Sequence, residues 1–263
     1  MQNGIRQGSV LSPVLFNIYV DELNVELCNA GVGCHVGGRA LNNFSYADDL
    51  AILAPNARSL NMLLRVCRKF AADNYISFST EKSVCMLIRP RSMTLSDPPN
   101  IYLGDVVLEY VDSFKYLGHI ISSSFKDDED IKRETRSLCI RGNILIRKFN
   151  FCTEDVKIAL FKSFCYPLYT SSLWSRYNAS TLYRLKVTYN NVMRRLLGVP
   201  QWESARQMFV AHGVRSLDEN LRYSSYGMWS RVASSDNEVL VVLLNSDSRA
   251  LSAQVLRWQD LLY

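Results

Sequence analysis

Histidine is scarce in this chain: His35, His119 and His212 are the only three in 263 residues. The seven cysteines, Cys28, Cys34, Cys67, Cys85, Cys139, Cys152 and Cys165, never form a C-x-x-C pair. Together these absences exclude a structural zinc module, whose ligands come in closely spaced pairs. An odd number of scattered cysteines on apolar-looking positions reads as reduced thiols in a reducing compartment, not as a disulfide frame. No long apolar run is present either. The most apolar later stretch, residues 158–174, is interrupted by Lys162 and Pro167, and the N-terminus lacks a charged-then-apolar signal pattern, so no membrane span or leader is expected. Repeats and low-complexity tracts are also missing.

Acidic residues are scarce in one region only. Residues 131–200 carry 13 Lys and Arg against 3 Asp and Glu, whereas residues 1–130 carry 11 against 15. A block at +10 within a chain of net charge +5 is the footprint expected for a polyanionic partner. A hydrophobic content of 48% and a charged content of 21% describe an ordinary globular protein, long enough for one large domain or two small ones.

The pattern along the chain changes character near residue 124. Before it, Ser12-Pro13 reads as an N-cap and first helical residue, followed by a helical apolar face of Val14, Leu15, Ile18, Tyr19 and Leu23. Residues 44–53 read as two short strands. Asn56 or Ser59 is positioned to cap a helix whose apolar positions are Leu60, Leu63, Leu64, Cys67, Phe70 and Ala71. Val84, Met86 and Ile88 alternate like a strand, residues 101–108 resemble a hairpin around Gly104-Asp105, and residues 114–121 add a further strand. After it, the run Asp127-Asp128-Glu129-Asp130 suits the positive end of a helix dipole. Ile131, Thr135, Leu138, Cys139, Leu145, Ile146 and Phe149 trace a long helix. A second begins at Thr153 and ends near Pro167. A third, with Leu182, Leu185, Tyr189, Val192 and Leu196 on one face, stops at Gly198 before Pro200. Ser234-Ser235-Asp236-Asn237 reads as a linker to a tail.

Tyr46-Ala47-Asp48-Asp49 stands out chemically. Two adjacent carboxylates between apolar flanks repel unless a cation lies between them, although Asp pairs also suit plain turns. The surrounding order of pieces decides the matter. Gly4-x-x-Gln7-Gly8-x-x-Leu11-Ser12-Pro13-x-Leu15-Phe16-Asn17-x-Tyr19 precedes Tyr46-Ala47-Asp48-Asp49. Lys82 and then Phe114-Lys115-Tyr116-Leu117-Gly118 follow it. This sequence of motifs resembles a reverse transcriptase. Trp174 and Met193-Arg194-Arg195-Leu196-Leu197-Gly198-Val199-Pro200 resemble the thumb of non-LTR (LINE-type) retrotransposon enzymes in particular.

The resemblance implies an α+β fold: a partial polymerase palm, a mixed sheet with helices, over residues 1–123; an all-helical basic thumb-like region over 124–233; and a tail over 234–263. It implies RNA-directed DNA polymerase chemistry with Mg²⁺, or Mn²⁺ in its place, an RNA template, a DNA primer and deoxynucleoside triphosphates. Asp48 is then the principal metal ligand and Asp49 a lesser one, and Tyr46 packs near the primer end. Gln7 and Gly8 line the template and incoming nucleotide, Lys82 meets the departing pyrophosphate, and Phe114, Tyr116, Leu117 and Gly118 grip the primer. Arg133, Arg136, Arg141, Lys148, Arg194 and Arg195 are the candidate phosphate contacts.

Two departures from the family pattern bear on activity. The family's other metal-binding aspartate lies in an aromatic-x-x-x-Asp strand upstream of the Gln-Gly loop, and only three residues precede Gly4 here. Tyr75 and Ser79 also stand where the family usually has Gly and Asn. The resulting expectation is an N-terminally truncated or degenerate copy, or a partial gene model, that does not polymerise alone and needs the missing palm and fingers segment. The competing reading is a catalytically silent remnant that binds nucleic acid through its basic helices. A third reading, a helical interaction protein in which the acid pair is only a turn, is disfavoured by the motif order. The family implies nuclear action, with the cytoplasm as the other intracellular setting.

Overall fold

The structure is a computed structural model that describes residues 10–89, 97–245 and 255–256. It is α+β, and its chain contacts divide it into two compact units, Met1–Val111 and Asp112–Tyr263. The Gly4 to Gly8 portion of the first motif, with Gln7 and Gly8, lies outside the described residues.

The first unit begins with α1 (Ser12–Asn29), followed by β1 (His35–Val36), β2 (Arg39–Ala40), β3 (Asn43–Tyr46), β4 (Asp49–Ile52), α2 (Ala57–Asp73), β5 (Val84–Cys85), β6 (Tyr102–Leu103), β7 (Val106–Val107) and β8 (Glu109–Tyr110). In α1 the helix starts at Ser12, and neither Leu11 nor a side chain caps it, so the expected Ser12 cap is not used. Its buried residues are Leu23 and Leu27, while Val14, Leu15 and Ile18 are exposed. Leu23 of the expected face is thus buried as read, while on its N-terminal half the Tyr19 hydroxyl donates to the Asn74 carbonyl and Val14, Leu15 and Ile18 stay exposed. Helix α2 follows its periodicity closely. Asn56 caps it by accepting from the Ser59 N–H at 2.8 Å, and Leu63, Leu64, Cys67, Phe70 and Ala71 are buried.

Leu23, Leu27, Leu63, Cys67 and Phe70 form one core of this unit; Leu64, Cys85, Ile101, Leu103 and Leu108 form another. Asn42 joins α1 to the strands. It is fully buried, and its amide donates to the carbonyls of Leu27 at 2.7 Å and Val32 at 2.9 Å. Gly33, with φ +107°, passes so close that a Cβ there would lie 2.4 Å from the Asn42 Cβ. The strand through Val84, Met86 and Ile88 is shorter than expected and its buried residue is Cys85. It pairs in parallel with β8, and Cys85 packs with Leu64, Ile101, Leu103 and Leu108 while Val84 is exposed. Burial pushes the Cys67 thiol up to about 12, so it stays protonated.

The second unit opens with β9 (Ser113–Tyr116) and β10 (His119–Ser122). Helices α3 (Asp128–Lys148) and α4 (Glu154–Cys165) follow, then a 3₁₀ turn at Ser171–Leu173, α5 (Ala179–Leu197), α6 (Ala205–Ala211), α7 (Leu217–Ala233) and α8 (Glu238–Leu244). Residues 114–121 are thus a hairpin and not one strand, because Leu117 and Gly118 turn the chain with φ +46° and +83°, the paired positive values of a tight two-residue hairpin turn. The β structure as a whole consists, among the described residues, of five two-stranded ladders and not of one mixed sheet.

Helices α3 and α5 run side by side in the same direction, since Asp128 meets Asn178 near one end and Asn143 meets Arg195 near the other. A Cβ on Gly142 would come within 2.6 Å of Val192, so glycine permits this close crossing at a cost in helix propensity. Around that crossing Ile131, Leu138, Leu145, Phe161, Leu185, Tyr189, Met193 and Leu196 close the main core. Tyr189 stands edge-on to Phe161 at 5.1 Å, and its hydroxyl donates to the Arg215 carbonyl at 2.9 Å. Helix α5 ends as expected at Gly198, φ +75°, with the Val199 N–H returning to the Arg194 carbonyl. Among the described residues no helix is long and apolar enough to cross a membrane.

Candidate functional site

The two acids occupy the tip of the β3–β4 hairpin. Its register pairs Tyr46 with Asp49 and Asn43 with Ile52, leaving Ala47 and Asp48 as the two-residue turn. Ala47 carries φ +50°, the left-handed value that a primed hairpin turn requires at its first position, here without a glycine. Tyr46, Asp48 and Asp49 are all exposed. Asn42 holds the hairpin base, and next to the tip pair the Ser45 hydroxyl reaches Asn24 of α1 at 2.5 Å. Tyr46, Asp48 and Asp49 are thus brought together on one rigidly based loop.

Among the described residues, no group of three or more His, Cys, Asp or Glu side chains gathers as a cation site. The donor set at the hairpin is therefore two hard carboxylates. That fits Mg²⁺, which is usually held by one or two carboxylates with substrate phosphates and water completing its shell. Lys82 is exposed in the turn just before β5.

In the second unit, Phe114 and Tyr116 lie on β9 with ring centroids 6.2 Å apart, and Leu117-Gly118 form the turn. Tyr169 seals that turn. Its hydroxyl donates to the Leu117 carbonyl at 2.7 Å, and a Cβ on Gly118 would lie 2.7 Å from its ring.

The six candidate cations divide into two kinds. Arg133 bonds Asp130 through Nε at 2.7 Å and Glu134 through Nη1 at 3.0 Å. Arg141 bonds Glu134 at 2.6 Å and Ser137 at 2.8 Å. Both are engaged inside the unit. Arg194 is half-buried and donates to the Glu203 carbonyl at 2.9 Å. Arg136, Lys148 and Arg195 are exposed, as are Lys132 and Arg147, with Arg195 reaching Asn143 at 3.3 Å.

The acidic run that opens α3, Asp127 at its N-cap and three acids in its first turn, is more than a complement to its dipole. The Asp127 carboxylate accepts the Ser175 and Arg176 N–H groups at 2.7 and 2.8 Å, and Asp128 accepts the Asn178 N–H at 3.0 Å. Asp130 is fully buried. It accepts from Ile120 N–H at 3.0 Å, Thr170 Oγ1 at 2.7 Å and Trp174 Nε1 at 2.8 Å, and His119 Nδ1 lies 3.1 Å away. Burial alone would raise its carboxyl. The His119 ring beside it and bonds from Arg133, Trp174 and Ile120 outweigh that and hold it well below the usual carboxylate range.

Asp128 is lowered too, with bonds from Thr181 and Asn178 overcoming its desolvation. Groups whose folded pKa is depressed contribute stability that is present above the unfolded pKa and lost as pH falls toward the folded value. The thermal midpoint of the helical unit is therefore expected to stay level from neutrality to about pH 5 and to fall steeply below about pH 4. Circular dichroism melts at stepped pH check this; a midpoint level down to pH 3 would contradict it.

Residues 1–121 match the family model for reverse transcriptase (RNA-dependent DNA polymerase). A retrovirus-related Pol polyprotein from type-1 retrotransposable element R1 2 of Nasonia vitripennis is 28% identical over 141 residues, 49% of this chain and 32% of that protein. One from type-1 retrotransposable element R2 of Popillia japonica is 30% identical over 132 residues, 47% of this chain and 18% of that protein. An RNA-directed DNA polymerase from mobile element jockey of Drosophila funebris is 21% identical over 250 residues, reaching 91% of this chain but 26% of that protein. The chain thus spans from under a fifth to about a third of the length of these curated relatives.

Proposed function

Because residues 1–121 match the reverse transcriptase family model, we propose that this chain is part of a non-LTR retrotransposon reverse transcriptase and supplies the acidic hairpin and the primer-holding, basic helical parts of an RNA-directed DNA polymerase. The observation that carries this reading is the presentation of Asp48 and Asp49, both exposed, at the tip of a hairpin anchored at its base by Asn42. In this reading residues 1–123 are palm, residues 124–233 are a thumb-like region, and 234–263 are a tail. Asp48 and Asp49 hold a divalent cation, Mg²⁺ in the first instance. Bound there, it supplies charge stabilisation at the phosphorus undergoing in-line displacement.

The remaining residues bind and orient. Tyr46 packs beside the primer end, and Gln7 and Gly8 line the template and the incoming nucleotide. Lys82 neutralises the departing pyrophosphate, and the hairpin of Phe114, Tyr116, Leu117 and Gly118 holds the primer strand. Arg136, Lys148 and Arg195 meet phosphates with their solvent-facing charges. Arg133, Arg141 and Arg194 contribute to the same field while bonded internally.

One observation favours a second reading. With no third ligand beside the acid pair among the described residues, the chain on its own can be a nucleic-acid-binding remnant without turnover. Asp48→Asn separates the two. In the polymerase reading the wild type, supplied with the remaining palm and fingers segment, extends a DNA primer on an RNA template with Mg²⁺, and the variant loses extension while keeping duplex affinity. Binding without extension in either form supports the remnant. Equal extension by both forms would refute the metal role of Asp48.

A further inference from the structure

We propose that Asp130 is a positioning residue: its carboxylate fixes the Leu117–Gly118 turn against helix α3 and so sets the affinity of this unit for a primer–template duplex. The anchoring half stands on contacts in the second unit, and the affinity half rests on the reading of the hairpin as a primer holder.

Strands β9 and β10 pair over four residues each, and a hairpin of that size is at best marginal by itself. Its chief anchor to helix α3 is one acid. Asp130 Oδ1 takes the Ile120 N–H of β10 and the Arg133 Nε of α3. Its Oδ2 takes the Thr170 hydroxyl and the Trp174 indole N–H. All four acceptor positions of the carboxylate are thereby used, by donors from three separate parts of the unit.

The segment that brings Thr170 and Trp174 also brings Tyr169, which covers the turn and bonds the Leu117 carbonyl. Thr170 sits in the left-handed region at φ +65°, where a β-branched residue persists only if its surroundings over-determine it. Arg133 and Arg141 extend the tie, reaching the carbonyls of Tyr169 and Pro167 at 3.4 Å each. Asparagine cannot replace this acid. It offers one oxygen in place of two and turns an NH₂ toward groups that are themselves donors. The turn is thus located by Asp130 and Tyr169 together, and the ladder between the strands only keeps its shape.

Asp130→Asn in the full chain tests this by hydrogen exchange and mass spectrometry. Amides in peptides spanning residues 113–123 are expected to exchange about tenfold faster or more, a larger factor than for those of residues 185–196 in α5. Should that variant fail to fold, Thr170→Val removes one donor and is expected to show the same local pattern more weakly. Affinity for a short RNA–DNA duplex with a recessed primer end, read by fluorescence anisotropy, should fall about tenfold with its salt slope unchanged, because no phosphate contact is removed. Unchanged hairpin exchange in both variants, or exchange rising equally through α5, overturns the anchoring. A wild type that binds no duplex overturns the primer-holding reading alone, since the exchange result does not depend on it.

Discussion

Asp130→Ala is expected to destabilise the second unit by about 3–5 kcal/mol, the usual cost of removing one partner from a buried charge network. The side chain is fully buried, so solvent does not screen the loss. Arg133 keeps Glu134 as its one charged partner, and the Trp174 indole N–H and the Ile120 amide lose an acceptor in the interior. Urea denaturation followed by circular dichroism reads the effect as a lower midpoint at an unchanged slope. The Lys186–Asp218 pair is a control within the same unit. Its side chains are 42% and 47% exposed, and Asp218→Ala should cost under about 1 kcal/mol. Equal costs at both sites would mean that burial of Asp130 carries no energetic weight.

The second large effect concerns ionic strength. Lys132, Arg136, Arg147, Lys148 and Arg195 are exposed on α3 and α5. If about five phosphates are met, the logarithm of the association constant should fall against the logarithm of salt with a slope of about −4 to −5, a loss of several hundredfold between about 50 and 200 mM. Arg136→Ala combined with Lys148→Ala should reduce that slope by about 2. Arg133→Ala and Arg141→Ala are expected to lower stability instead, because both guanidinium groups are committed to Asp130 and Glu134. A slope near zero in the wild type would refute the role of the basic helices.

Much of this was legible in the chain, and the failures have physical causes. The α2 cap at Asn56, the apolar stripe of α5 with its Gly198 stop, and the β3–β4 hairpin are local features, set by residues within a few positions of one another. They emerged as read. The apolar stripe of α1 was right at Leu23 and not at Val14, Leu15 and Ile18, because periodicity says that a face is apolar but not which neighbour covers it. The acidic run was understood only in part. Its partners Thr170, Trp174, Ser175, Arg176 and Asn178 lie 40 to 50 residues away, beyond the reach of any periodic signal.

One clue was present in α3: Glu134 falls between Ile131 and Leu138 at core spacing, where an acid survives only with a paired cation such as Arg141. Another was Ser216-x-x-Glu219, a capping box that begins α7. The separation of Arg133 and Arg141 from the solvent-facing cations needed the folded chain, since every arginine carries the same charge in the sequence.

The most direct measurement is a photocrosslink from the 3′-terminal nucleotide of a DNA primer on an RNA template, mapped by mass spectrometry on the full chain with Mg²⁺ present. The proposal that this chain carries the metal-binding and primer-holding hairpins predicts adducts within residues 44–49 and 114–118. Adducts spread over the exposed basic positions of α3 and α5, with none at either hairpin, would contradict it.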